Sequence, residues 1–220
     1  MTVVALARVA LQRVVRRYSL WIALAIAALP APFAYGLRGE KGLLTNAFNI
    51  ALLLLAVLPP WLVGSSLGEE LDHRAATYLW SRPLARWKVV AAKLLALAPI
   101  VIVLAVGSWI AIAHSATTRW PPGVTIRAVA ACAFAVSVIS AGISTLAPRQ
   151  GMALAIVYVM FDLILGELPA SLHALSVTFH ARVLAGRSHY TPDAGDWLLL
   201  AAIPLVWLAI GLLRLRSREA

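Results

Sequence analysis

Hydrophobic positions fill the chain in long blocks that polar residues interrupt at intervals. Six such apolar runs occupy residues 18–37, 46–67, 91–113, 127–146, 151–168 and 197–213. Each run is apolar on every helical face and close to the length of about 20 residues that crosses roughly 30 Å of hydrocarbon. A helix satisfies its own backbone donors and acceptors, which a membrane-spanning segment requires. The pattern predicts an all-α integral membrane protein, with six transmembrane helices in a single domain over residues 1–220.

Two other structural classes fit the pattern poorly. Strands of a membrane barrel alternate apolar and polar residues, and none of the six runs alternates. A water-soluble helical bundle needs a polar face on each helix, whereas these runs are apolar all round. The composition agrees, because 62% hydrophobic and 13% charged residues leave too little polar surface for a water-soluble protein of 220 residues.

Residues 1–17 precede the first run and are divided between two helical faces. Val3, Val4 and Leu11 belong to an apolar face, and Arg8 and Gln12 to a polar one. This division predicts an amphipathic helix that lies in the membrane interface, with its arginines among lipid headgroups. A simple basic topology signal explains the same residues equally well.

The formal net charge of +10 is distributed unevenly among the connections. Most lysines and arginines fall on one side if both termini and the connection at residues 68–90 are cytoplasmic, as the positive-inside rule requires. We therefore expect a multi-pass protein of the cell inner (cytoplasmic) membrane. The basic residues are scattered along membrane edges and form no basic face, so we expect no nucleic-acid partner.

Asp162 is the polar residue inside a run that most needs an explanation. It lies about eleven residues into the fifth run, or roughly 16 Å along a helix, which predicts a position near mid-bilayer. A carboxylate at that depth is costly unless it is paired, protonated or hydrated. Three roles stay open, namely a polar bond between spans, a lining residue of a transport pathway, or a proton carrier. Cys132 is the lone cysteine, so no disulfide framework is expected.

The external connection at residues 169–196 is predicted to hold a short helix or a pair of helices that dips into the outer leaflet. Leu172 and Phe179 share its apolar face. His173 and His180 invite a comparison with metal ligands. Seven residues along a helix separate them by about 10.5 Å, too far to share one ion, so no metal site is expected.

The connection at residues 68–90 contains the polar stretch HRAATYLWSRPLARWK. Ser66 or Gly68 can begin a short charged helix, and Pro83 then fixes a rigid corner before the next run. Such a helix can be a docking surface for a soluble partner or only a solvated loop.

Residues 68–96, GEELDHRAATYLWSRPLARWKVVAAKLLA, resemble the first cytoplasmic loop in permease subunits of type-2 ATP-binding-cassette exporters. The matching positions are Glu69, Glu70, Asp72, Arg74, Thr77, Tyr78, Leu79, Ser81, Arg82, Pro83, Arg86 and Lys93. The six runs, the amphipathic start and the long external connection also resemble that family. Ala75 and Ala92 depart from it, since Thr and Gly are frequent at these positions.

The resemblance implies a short cytoplasmic coupling helix between spans 2 and 3 that fits a groove on a separate ATPase subunit. It implies that Glu69, Glu70, Asp72 and Arg74 face the ATPase, that Arg82, Pro83 and Arg86 hold the corner, and that Thr77 and Ser81 belong to the same loop. It also implies that two permease copies, or one copy and a related permease, form the substrate pathway.

The energy for transport must then come from the ATPase subunit. No G-x-x-x-x-G-K-[ST] phosphate-binding loop occurs in the sequence. We expect that this chain is not an enzyme and holds no cofactor. We expect ATP and Mg²⁺ to be bound by the ATPase subunit. The sequence thus predicts an exporter permease, and an ATP-independent membrane transporter or a membrane anchor or assembly factor is the alternative.

Overall fold

The computed structural model describes residues 3–16, 19–36, 42–71, 86–168 and 171–217, and all regular structure in these ranges is helical. The helices are α1 (Val3–Arg16), α2 (Ser19–Ala28), α3 (Pro30–Gly36), α4 (Leu43–Pro59), a π-helix (Pro60–Gly64), α5 (Ser65–Leu71), α6 (Arg86–Thr117), α7 (Gly123–Leu146), α8 (Gly151–Leu165), a 3₁₀-helix (Ser171–Leu175), α9 (Val177–Leu184) and α10 (Ala194–Ser217). The predicted all-helical class is confirmed for this part of the chain.

Five helical segments in the described ranges are long and apolar enough to cross a membrane. They are Ser19–Gly36, Leu43–Leu71, Trp87–Thr117, Gly123–Leu146 and Ala194–Ser217. The expected sixth, at residues 151–168, forms α8, which has 15 residues. At 1.5 Å per residue, α8 is about 22 Å long and falls short of the hydrocarbon thickness. The described ranges therefore contain five helices of spanning length, because the chain turns at Gly166 before α8 reaches that length.

Proline interrupts the first two spans. The first run forms two helices, α2 and α3, which meet at Leu29 just before Pro30. In the second span, Pro59 and Pro60 are consecutive, so two backbone N–H donors are missing from the helix. The turn that follows is the π-helix, a widening that typically accompanies such a defect. The second span therefore continues from α4 into α5 across an irregular turn.

Helix α7 lies at the centre of the bundle and packs against α6, α8 and α10. Gly142 of α7 is so close to α10 that a Cβ atom there would lie 2.6 Å from the Trp207 carbonyl oxygen. Gly211, further along α10, contacts Thr145 in the same way. Small residues allow this close approach of two backbones. Because later residues of α7 face later residues of α10, the two helices run in the same direction.

Residues 147–193 must therefore return the chain to the end of the bundle where α7 begins. Helix α8 makes most of this return, after a tight turn at Ala147–Gln150. A Cβ atom on Gly151 would lie 2.5 Å from Ser144 Cα, so α8 starts directly against the end of α7. Together, α8 and the turn at Gly166 lead to the 3₁₀-helix and α9, the predicted pair of short helices.

Helix α1 packs along α6. Ala7 and Ala10 contact the hydrophobic core, whereas Val4 and Leu11 of the predicted apolar face are 74% and 40% exposed. Arg8, one helical turn from both Val4 and Leu11, is also exposed. The predicted helix is therefore present, and its exposed side carries both apolar residues and an arginine.

Candidate functional sites

Buried lysine, arginine, aspartate and histidine side chains in the described ranges occur in two places. One group surrounds Lys93 at the start of α6, next to the polar connection. The other surrounds Asp162, where α8 meets α9. We refer to them as the Lys93 site and the Asp162 site.

The Lys93 site joins two successive spans. The Nζ atom of Lys93 lies 3.0 Å from Glu70 Oε1 and 2.6 Å from Ser66 Oγ, and it also donates to the Ser66 carbonyl oxygen. The Lys93 side chain is 5% exposed and that of Glu70 is 20% exposed. A buried ammonium group is tolerated when a carboxylate and further acceptors surround it, as here.

These contacts connect α5, which precedes residues 72–85, to α6, which follows them. Gly68 brings α5 against the turn between α7 and α8 as well, since a Cβ atom there would lie 2.5 Å from the Pro148 carbonyl oxygen. Helix α5 therefore contacts both α6 and the turn between α7 and α8 directly. The sequence contains Lys93 within the matched stretch, but no spacing rule predicts its pairing with Glu70 across the connection.

The predicted coupling residues are only partly within the described ranges. Glu69 is exposed on α5, whereas Glu70 points toward Lys93. Arg86 begins α6. The remaining predicted residues, Asp72, Arg74, Thr77, Ser81, Arg82 and Pro83, lie outside the described residues. The helix that carries Glu69 and Glu70 is a continuation of the second span.

Asp162 lies in the last turn of α8 and is 4% exposed. Its Oδ1 accepts a hydrogen bond from the Val177 backbone N–H at 3.0 Å, and its Oδ2 accepts one from the Thr178 N–H at 2.9 Å. The Ser176 hydroxyl lies 3.1 Å from the same Oδ2. Helix α8 ends three residues after Asp162, and the predicted depth of Asp162 near mid-bilayer stays a prediction.

These partners belong to the first turn of α9. Backbone N–H groups in the first turn of a helix have no partner within the helix, and the helix dipole favours a negative charge there. Ser176 is the N-cap residue, whose Oγ accepts the Phe179 N–H at 3.0 Å. Asp162 supplies acceptors for two further N–H groups of the same helix. Of the roles left open by the sequence, these contacts favour a polar bond between helices.

A second polar contact fixes α9 to the start of α10. His180 Nδ1 lies 2.7 Å from Asp196 Oδ1, and its Nε2 lies 2.9 Å from the Ala174 carbonyl oxygen. Both partner atoms are acceptors, so only a doubly protonated ring can donate both hydrogen bonds. Asp196 Oδ2 accepts the Asp193 N–H at 2.9 Å, which closes the first turn of α10.

His173, another histidine between α8 and α10, lies in less polar surroundings than His180. His173 packs 4.2 Å from Phe179 and 5.3 Å from Tyr190, measured between ring centroids. Within the described ranges, no group of three or more His, Cys, Asp or Glu side chains is arranged to hold a metal ion. His173 thus belongs to an aromatic cluster with Phe179 and Tyr190.

Two grooves on the bundle are lined almost wholly by apolar side chains. A groove of about 470 Å³ lies among α6, α7 and α10, between Pro99 and Pro204. A larger one, of about 800 Å³, lies between the first two spans around Pro30. Prolines line both grooves, and a proline inside a helix is a common position for a kink.

No protein-family model matches this chain, and no curated protein sequence matches it. The comparisons therefore assign no class to the protein. Its own residues and their contacts are the basis for an assignment of function.

Proposed function

We propose that this protein is the membrane-spanning permease subunit of an ATP-driven exporter of the ATP-binding-cassette type. The observation that carries the proposal is the motif-bearing connection at residues 68–90, whose two ends are held together at the Lys93 site. A separate ATPase subunit docks on this connection and binds ATP and Mg²⁺. The lack of a phosphate-binding loop in the sequence agrees with this division of labour.

The proposed topology has six membrane crossings in the inner membrane, with both termini on the cytoplasmic side. The parallel arrangement of α7 and α10 supports it, because the chain must cross back between them and α8 provides that return. Helix α8, with 15 residues, crosses the membrane in one of two ways. Either the bilayer thins locally around it, or the external segment spans the remaining thickness. Helix α1 then lies in the cytoplasmic interface.

Coupling follows from the contacts of the Lys93 site. When the ATPase subunits close, they displace the connection, and the Glu70–Lys93 pair makes α5 and α6 move together. The contact of Gly68 with Pro148 passes the same displacement toward α7 and α8. Two permease copies, or one copy and a related permease, form the pathway, and the apolar grooves favour hydrophobic or amphipathic cargo.

An ATP-independent transporter or a membrane anchor or assembly factor is the second candidate. The buried Asp162 carboxylate favours such a transporter only if it exchanges protons or ions. Its contacts with three groups around the start of α9 instead favour a role in holding the external segment.

The test is co-purification with the ATPase encoded beside this protein, in nanodiscs, followed by ATP hydrolysis. The native chain is compared with Glu70→Lys plus Arg82→Glu and with the control Arg119→Glu, a charge reversal in a different connection. We expect the loop variant to lose stimulated hydrolysis and the control to retain it. If no ATPase binds, or if the loop variant hydrolyses ATP like native protein, the exporter assignment is wrong.

A further inference from the structure

Two arginines of the external segment lie next to each other at the end of α9. The Arg187 N–H bonds to the Arg182 carbonyl oxygen at 2.9 Å, and the Gly186 N–H bonds to Val183 at 2.9 Å. Gly186 has φ of +65°, as expected for the residue that ends a helix in a Schellman motif. In this motif the side chains of the two residues that bracket the turn frequently lie close together, and here both are arginines.

Neither guanidinium group has its full set of partners among the described residues. Arg182 is 9% exposed and one of its terminal nitrogens binds Glu167, yet its Nε is buried without a hydrogen-bond partner. The Nε of Arg187 is also buried and without a partner. Partial burial lowers the pKa of Arg187 from its ordinary value, because the charged group loses hydration. Two adjacent, incompletely satisfied cations favour a shared anion.

The acidic residues of this region have other partners. Asp162 accepts from the start of α9, and Asp196 accepts from His180 and the Asp193 N–H. Asp193 accepts the Ala194 N–H at 2.6 Å. Glu167 binds Arg182. No described carboxylate contacts Arg187, so the anion must come from outside this part of the chain.

The surroundings identify the kind of anion. Leu172 and Leu175 of the neighbouring 3₁₀-helix are 49% and 61% exposed. Tyr190 and Trp197, which follow Arg187 in the sequence, are each about half exposed. Exposed aromatic and aliphatic side chains at the end of a span are typical of the membrane–water interface. The common anion at that level is the phosphate of a lipid headgroup, and the guanidinium fork matches phosphate geometry.

We propose that Arg182 and Arg187 form a binding site for the phosphate group of a membrane phospholipid, with the acyl chains against Leu172 and Leu175. The site lies where α9 ends, away from the Lys93 site, and does not depend on an ATPase partner. Bound lipid holds the turn between α9 and α10 in place.

The experiment measures thermal unfolding of the full chain in detergent with three additives: phosphatidylglycerol, diacylglycerol with the same acyl chains, and inorganic phosphate. A ligand that binds only the folded state raises the unfolding midpoint in proportion to its affinity. We expect a rise with phosphatidylglycerol only. We expect Arg187→Gln to weaken phosphatidylglycerol binding about tenfold or more, because charge-assisted hydrogen bonds are lost. Arg119→Gln, which removes an exposed arginine elsewhere, should bind like native protein.

Arg187→Lys serves as a second variant that keeps the charge, and it should bind between native protein and Arg187→Gln. An equal rise with diacylglycerol would show that acyl chains alone bind. An equal rise with inorganic phosphate would show an anion site that does not require lipid. Either result, or native-like phosphatidylglycerol binding by Arg187→Gln, overturns the proposal.

Discussion

Lys93 and Asp162 are both ionisable residues that are 4% exposed among apolar helices, yet their polar groups have partners of different kinds. Lys93 meets an opposite charge, Glu70, together with two oxygens of Ser66. Asp162 meets backbone N–H groups and a hydroxyl at the start of a helix. An ion pair depends on two side chains, whereas backbone N–H groups stay in place as long as the helix does.

The difference fits the two proposed tasks. The Lys93 site joins two long helices beside a connection that must move if it couples to a partner. Glu70 is partly exposed, so water can replace Lys93 as its partner, and Ser66 still accepts from Lys93 when the pair opens. The Asp162 site fixes the short helix α9 to the end of α8, where a lasting attachment is required.

The largest expected effect comes from removing the acceptor at the Asp162 site. Asp162→Leu leaves two backbone N–H groups and the Ser176 hydroxyl without this acceptor in a buried place. We expect a loss of about 3 kcal/mol or more in the free energy of unfolding. Asp162→Asn keeps one acceptor oxygen and should lose less. Denaturant unfolding in detergent measures both.

Asp193→Asn is the matched control for this prediction, because Asp193 is an exposed acid that bonds only locally. It should change the unfolding free energy by about 1 kcal/mol or less. If Asp162→Leu is as stable as Asp193→Asn, the Asp162 carboxylate does not hold α9.

An intermediate effect is expected at the Lys93 site. Glu70→Leu removes the carboxylate from a buried ammonium group, and we expect a loss of about 2–3 kcal/mol, reduced because Ser66 still accepts from Lys93. The double variant Glu70→Leu plus Lys93→Met should recover most of that loss, since no charge remains unpaired. Additive losses in the double variant would contradict the pairing.

A smaller loss of stability is expected where α7 packs closely against α10. Gly142→Ala places a methyl group against the Trp207 carbonyl oxygen, and we expect a loss of about 1–2 kcal/mol. Gly107→Ala in α6 has open space around the added methyl and should be neutral or slightly stabilising. Equal stabilities of the two variants would contradict the close contact of α7 with α10.

The sequence predicted the apolar helices well, because a helix in lipid needs only a continuous apolar run. The second span, expected at residues 46–67, was found at Leu43–Leu71, longer by a few residues at each end. Ser137, Ala141 and Thr145 recur every four residues along α7, a spacing of small residues that favours close helix packing, and all three are fully buried.

The polar contacts were not predictable in the same way. The partners of Asp162 lie 14 to 16 residues further along the chain, and those of Lys93 lie across the connection. Pairings of this kind are determined by the fold and leave no periodic pattern in the sequence.

The central claim is that the connection at residues 68–90 contacts an ATPase subunit. Cys132 is the single native cysteine, so Cys132→Ala provides a background for one new cysteine at a time. The decisive measurement is disulfide or short-linker cross-linking of Ser81→Cys to the co-expressed neighbouring ATPase in membranes, with Arg119→Cys as the control at the opposite end of α6. We predict cross-linking from Ser81→Cys only. Cross-linking from Arg119→Cys alone, or from neither position, would contradict the claim.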